Sequence, residues 1–306
     1  MIAVVFPGQG SQSPGMGKAL FDTIPAAREV FDRVGSAVGR DVAALCFDSD
    51  EETLRQTENA QIALFAVSLA AYEAWKTQGG RADVMAGHSV GEYAALAASG
   101  VYSLEDAARL VQTRGKVMAA AGKAAPGTMA AVLGLERELL EAACKEAGGI
   151  VVVANDNCPG QLVISGETEA VARAGELAKA KGAKRVVPLN VSGAFHSPLM
   201  EGPAAAMAEA LSKVTPRQGS VPVVSNVTAE PVFDAGQWPS LLERQLRSPV
   251  RWTESIQRMR QDGATTFVEC GSGEVLSGLI RRIDKEAKTV RVSDPASLEH
   301  AIGEVQ

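Results

Sequence analysis

Short runs of apolar residues alternate along this chain with longer alanine-rich segments of helical period. That alternation restricts the possible folds more than any other feature. The runs include Ile2–Phe6, Ile150–Val153, Leu162–Ile164, Arg185–Pro188 and Thr266–Glu269. Such runs suit strands buried on both faces, and the segments between them suit the helices that cover those strands. The expectation is an α/β fold of hydrolase-like type, a mostly parallel sheet core with helices on both faces. Glycines follow several of the runs, as in Pro7-Gly8-Gln9-Gly10 and Gly271-Ser272-Gly273. In open α/β sheets, ligands bind at such strand ends.

One stretch follows a different order. Thr128–Leu135 reads as a strand and Arg137–Ala147 as a helix. Ile150–Asn155 and Gln161–Gly166 read as strands joined by a turn-rich loop, Asn155–Gly160. Glu169–Lys181 reads as a helix and Lys184–Asn190 as a last strand. This is the β-α-β-β-α-β order of a ferredoxin-like unit. Residues 125–190 are therefore predicted to form a small inserted subdomain, and residues 1–124 and 191–306 the large α/β catalytic domain.

Composition removes several classes of function. The chain has 306 residues, 46% hydrophobic and 22% charged, the balance of a globular protein. No stretch approaches the ~20 apolar residues of a membrane helix, so no membrane partner is expected. Ile2–Phe6 is too short for a signal-peptide core and no basic residue precedes it, so a cytoplasmic location is expected. Cys46, Cys144, Cys158 and Cys270 are scattered without a C-x-x-C pair, which predicts neither a metal site nor a disulfide framework. The net charge is −6 and no basic block is present, which sets nucleic acid aside. The Gly8-x-Gly10 run has Ser13 where a dinucleotide fingerprint needs its third glycine.

Gly87-His88-Ser89-Val90-Gly91 fits the G-x-S-x-G pattern of a nucleophile elbow. Val84-Met85-Ala86 before it can end a strand, and Glu92–Ser99 after it is helix-forming and stopped by Gly100. Ser89 would then sit before a helix N-terminus, where free N–H groups favour negative charge. The Val90 N–H is placed to hold a developing oxyanion. The competing reading is a structural turn with a capping serine.

A serine nucleophile needs a base. The three histidines are His88, His196 and His300. His88 adjoins Ser89 on a tight turn and should point elsewhere, and His300 lies in a polar terminal segment. Elimination leaves His196, in Ser192-Gly193-Ala194-Phe195-His196-Ser197-Pro198, expected to titrate near the ~6.5 of an ordinary histidine. A buried structural histidine is the alternative. No acid with a recognisable motif completes a hydrolase-type triad.

Four segments in order resemble one family. They are Pro7-Gly8-Gln9-Gly10-Ser11-Gln12, Gly87-His88-Ser89-Val90-Gly91-Glu92-Tyr93, Arg114-Gly115 and Ala194-Phe195-His196-Ser197. Together they look like the malonyl-CoA:acyl carrier protein transacylases of bacterial type II fatty-acid synthesis, over nearly the whole chain. The resemblance implies that Ser89 carries the acyl group and His196 is the base. It implies that the Gln9 N–H joins that of Val90 in the oxyanion hole. It places Arg114 on the malonyl carboxylate, although helical period alone makes Arg114 a surface residue. Gln245 matches the residue whose carbonyl orients the histidine. Asn155 belongs to a segment lining the acyl-donor side, and Phe195 matches the bulky residue associated with malonyl over methylmalonyl. Val90, where leucine is frequent, and Arg251, where glutamine is common, depart from the pattern.

The implied reaction is ping-pong transfer of malonyl from malonyl-CoA to the phosphopantetheine thiol of acyl carrier protein by a monomer. No cofactor is implied, because coenzyme A thioester and phosphopantetheine are substrates. Rival readings are a malonyl transacylase of malonate or polyketide metabolism, a serine thioesterase or esterase, and a docking module in which Ser89 is only a cap. The acidic carrier protein would need a basic surface. Candidates are Lys181, Lys184 and Arg185, or Arg281, Arg282 and Lys285.

Overall fold

The structure is a computed structural model that describes residues 1–124 and 126–305. In chain order, its strands among the described residues are β1 Ile2–Phe6, β2 Val84–Gly87, β3 Gly127–Leu133, β4 Val151–Cys158, β5 Gln161–Glu167 and β6 Arg185–Pro188. They continue with β7 Val223–Val224, β8 Pro231–Val232, β9 Val250–Arg251, β10 Thr266–Cys270 and β11 Lys288–Val292.

Strand β1 is buried at every position. Its side chains alternate between two cores. Ile2, Val4 and Phe6 join the helix Thr57–Thr77 on one face, and Ala3 and Val5 meet Trp252, Ile256 and Leu276 on the other. Both faces are covered, so the strand is apolar without alternation. β1 lies inside a six-stranded sheet of order β11-β10-β1-β2-β7-β8. Each neighbouring pair is parallel except β7–β8. The pairing sets Phe6 opposite Gly87. The loop after β1 and the turn after β2 therefore leave the same end of adjacent strands, which brings Gln9 and Ser89 to one place.

The helix Thr57–Thr77 is buried on nearly all sides and packs against the helices Pro25–Val38, Gly91–Ser99 and Leu104–Ala124. Among the described residues, no helix is long and apolar enough to cross a membrane.

The second sheet has the order β6-β3-β5-β4-β9. Its first four strands pair antiparallel, and β9 joins β4 in parallel. The helices Arg137–Ala147 and Thr168–Ala180 bury Leu140, Ala143, Val171 and Ala174 against Val132, Val153, Leu162 and Ile164 in a core of their own.

Asn155–Gly160, expected to be a turn-rich loop, is strand as far as Cys158, with register shifts between Val153 and Asn155 and between Asp156 and Cys158. Asn155 and Asp156 pair with Val250 and Arg251 on one side and with Val163 and Leu162 on the other. A distant strand holds turn-forming residues extended, and only Pro159 and Gly160 remain for the turn. The strand expected over Lys184–Asn190 is shorter, Arg185–Pro188. The predicted boundary at Ala125 lies outside the described residues.

Candidate active site

The turn between β2 and the helix Gly91–Ser99 is held in a conformation that its neighbours dictate. Ser89 has φ of +53°, left-handed and strained for a side chain other than glycine. A β-carbon on Gly87 would lie 1.9 Å from the Gly91 carbonyl carbon, and one on Gly91 would lie 2.1 Å from the Phe6 oxygen. The two motif glycines are therefore required by contact. Asn226, just after β7, brackets the strained residue. Its Oδ1 accepts from the Ser89 N–H at 2.8 Å and its Nδ2 donates to the Gly87 carbonyl at 2.7 Å.

Ser89 Oγ lies 2.8 Å from His196 Nε2. His196 Nδ1 lies 2.8 Å from the Gln245 backbone oxygen. A carbonyl can only accept, so Nδ1 carries the proton and Nε2 is free to accept from the serine hydroxyl. No acid is bonded to His196 among the described residues. His196 is 3% exposed and also left-handed, with φ of +57°. Burial, aided by the Arg114 charge and opposed by the Gln245 hydrogen bond, pushes its pKa down to about 3. The ordinary histidine value expected from sequence is corrected by those two causes. His88 turns away from Ser89: its Nε2 meets Asn157 Oδ1 at 2.8 Å and its ring packs edge-on against Trp252. His300 is exposed.

Arg114 projects from the helix Leu104–Ala124 and is fully buried. Its Nη2 donates to Ser89 Oγ at 3.1 Å and to Gln245 Oε1 at 2.9 Å. Its Nη1 donates to Gln61 Oε1 at 2.8 Å, and the guanidinium lies over the Tyr93 ring. The serine hydroxyl is thus a donor to His196 and an acceptor from Arg114 at once.

These groups line a cleft of about 340 Å³ that also includes Gln9, Val90, Asn155 and Phe195. Among the described residues, the N–H groups of Gln9 and Val90 have no partner within the protein. Asn155 Oδ1 is buried and likewise without a partner. No cluster of three metal-ligating side chains occurs among the described residues.

The sequence model of the acyl transferase domain matches residues 3–298. This chain belongs to the acyl transferase family. The malonyl CoA-acyl carrier protein transacylase of Bacillus subtilis is 46% identical over 98% of this chain and 96% of its own length. The Escherichia coli K12 protein of that name is 42% identical over 98% of both. Among solved structures, the acyl carrier protein S-malonyltransferase of Vibrio cholerae superposes with a TM-score of 0.94 at 41% identity, covering 98% of this chain and 99% of that one. A malonyl-transacylase solved in complex with a type II polyketide synthase acyl-carrier protein gives 0.95 at 41% identity, covering 99% of both chains.

Three residues around this site had no role assigned from the sequence, although Glu92 stands in one of the four segments that carry the resemblance. Glu92, Asn226 and Gln61 are all buried. Glu92 accepts from the Asn226 N–H and from Gln245 Nε2, both at 2.6 Å. A lone acid in the alanine-rich segment after Ser89 was the available signal for Glu92. Asn226 and Gln61 had none, since each reaches the site through packing alone. Of the basic residues singled out, Lys181 pairs with Glu146, Arg281 bonds Thr289, and Arg282 bonds Gln161.

Proposed function

We propose that this chain transfers malonyl from malonyl-CoA to the phosphopantetheine thiol of an acyl carrier protein through a malonyl-Ser89 intermediate. The observation that carries the reading is Ser89 Oγ held between His196 Nε2 at 2.8 Å and Arg114 Nη2 at 3.1 Å, a base and a cation on one nucleophile. His196 takes the hydroxyl proton as Oγ attacks the thioester carbon. The N–H groups of Gln9 and Val90 hold the oxyanion. The C–S bond breaks and coenzyme A leaves as its thiol with the proton from His196. The carrier thiol then gives its proton to His196 and attacks the ester carbon, and the C–O bond to Ser89 breaks as Oγ takes that proton back from His196. One thioester replaces another, so no cofactor is consumed.

Arg114 supplies the charge that distinguishes malonyl from acetyl, because a desolvated carboxylate needs a pairing cation. Phe195 narrows the space beside the acyl group, and Asn155 offers its unpartnered oxygen to the thioester arm. Gln245 orients His196 through its backbone. Residues 125–190 act as a ferredoxin-like insert in a hydrolase-like core, and one of the two basic clusters receives the carrier protein. Names of close relatives support the choice of substrates.

Intact mass after mixing with malonyl-CoA tests the reading. A malonyl adduct on Ser89, passed on to a holo carrier protein and absent in Ser89→Ala, is expected. Steady release of free malonate in place of transfer would make the chain a thioesterase.

A further inference from the structure

The cycle above gives no task to Glu92, yet this carboxylate is fully buried on the first turn after Ser89. Both of its oxygens meet donors: Oε1 the Asn226 N–H and Oε2 the Gln245 amide nitrogen. The same Gln245 nitrogen donates to the Ser89 carbonyl at 2.9 Å, while Gln245 Oε1 accepts from Arg114 Nη2. The direction of the Gln245 amide follows from these partners. Ser89 O and ionised Glu92 can only accept, and Arg114 can only donate. Turned around, the amide would set its NH₂ against the guanidinium and its oxygen against two acceptors.

We propose that Glu92 is a positioning residue for acyl selection: it holds the Gln245 amide with its oxygen towards Arg114 and so keeps the guanidinium aimed at Ser89. The proposal rests on Arg114 as the reader of the malonyl carboxylate. A proton on either Glu92 oxygen would face a donor, so the geometry is that of the carboxylate. Burial raises the Glu92 pKa against the pull of Asn226, Gln245 and Arg114, but the donors on both oxygens leave a proton no acceptor, and this arrangement holds the carboxylate ionised. Glu92 is also a counter-charge kept one amide away from Arg114. The guanidinium is bonded only to the neutral acceptors Gln61, Gln245 and Ser89 among the described residues. A neutral acceptor yields to an incoming carboxylate more readily than a paired one does.

Glu92→Gln is nearly isosteric and keeps an oxygen for the Asn226 N–H. It also sets an NH₂ against the Gln245 nitrogen, so one buried group loses its partner however the amides turn. The measurement is kcat/KM for acyl-enzyme formation with malonyl-CoA and with acetyl-CoA. Malonyl-CoA should lose about 10–100-fold, the cost of one unpaired buried polar group, and acetyl-CoA far less. Gln245→Met removes the amide but keeps the backbone carbonyl on His196. It should show the same selective loss, and the double variant should be no less selective than Gln245→Met alone. If circular dichroism shows Glu92→Gln unfolded, Gln245→Met decides by the same comparison. Equal losses on both substrates, or wild-type selectivity, would overturn the proposal. Wild-type protein that forms no malonyl-Ser89 would instead refute the transferase reading itself.

Discussion

Arg114 brings a full positive charge to within 3.1 Å of a neutral hydroxyl, with no carboxylate paired to it among the described residues. Helical period alone makes it a surface residue. The family resemblance directed attention to it, and packing buries it. Arg114→Ala should cripple malonyl transfer and spare acetyl transfer, because removing one partner of a buried charged hydrogen bond costs about 2–5 kcal/mol. Arg114→Lys should recover only part, since an ammonium cannot reproduce the planar fork. Parallel kcat/KM values for malonyl-CoA and acetyl-CoA check this, and equal losses would reduce Arg114 to a structural role. His196 sits in the same field. Its pKa is lowered, so it stays neutral and able to accept a proton until the pH falls towards about 3. Titration at the ordinary ~6.5 would cost about tenfold in rate by pH 5.5. The prediction is a flat acid limb between pH 8 and 5 for kcat/KM of acylation by acetyl-CoA, the substrate that does not call on the Glu92 carboxylate. A tenfold fall centred near 6.5 would refute it. The sequence could nominate the histidine but not its basicity, because burial and a neighbouring cation are properties of the assembled site.

The elbow was the element most legible in the sequence. Strand, G-x-S-x-G and helix occur in order, and the observed strand and helix end at Gly87 and begin at Gly91. Strand, turn and helix are contiguous in the sequence, and Gly87 and Gly91 stand at the two positions of the turn where a β-carbon has no room. Gly91→Ala should therefore cost about 3 kcal/mol or more, since its β-carbon would press on the Phe6 carbonyl of a buried strand. A β-carbon on Gly278, inside the helix Val275–Ile283, would meet nothing within 4 Å beyond its own helix backbone. Gly278→Ala should stabilise by about 0.5–1 kcal/mol. Urea unfolding of both variants decides, and similar midpoints would show that the contact at Gly91 relaxes freely. By contrast, β7, β8 and β9 are two residues each and carry no periodic signal. Pairing with partners distant in sequence makes them strands.

At the scale of the molecule, the segment Val250–Glu254 ties the smaller sheet to the rest of the chain: β9 joins β4, and Asp156, 3.3 Å from Arg137 of its own layer, accepts from Thr253 Oγ1 at 2.5 Å. Arg137 also reaches Glu254, at 3.2 Å. The cleft draws Asn155 and Asn157 from the smaller sheet and Ser89 from the larger one, so its width depends on this seam. Asp156→Ala should lower stability by about 1–2 kcal/mol and raise KM for malonyl-CoA more than it lowers kcat. Thermal unfolding with steady-state kinetics tests this, and an unchanged KM would mean that the seam does not set the cleft. The sequence by itself determined the alternation of buried strands and helices, the elbow and the choice of Ser89 and His196, because each rests on short-range pattern or on a motif. Only the tertiary structure decided that Asp156–Cys158 is strand and that Glu92, Asn226 and Gln61 underlie the site. It alone supplied the packing that buries Arg114, which the resemblance had placed in the cleft, and made His196 a weak base. Hydrogen bonds between residues far apart in the chain and the low dielectric around buried charges exist only once the chain has closed on itself.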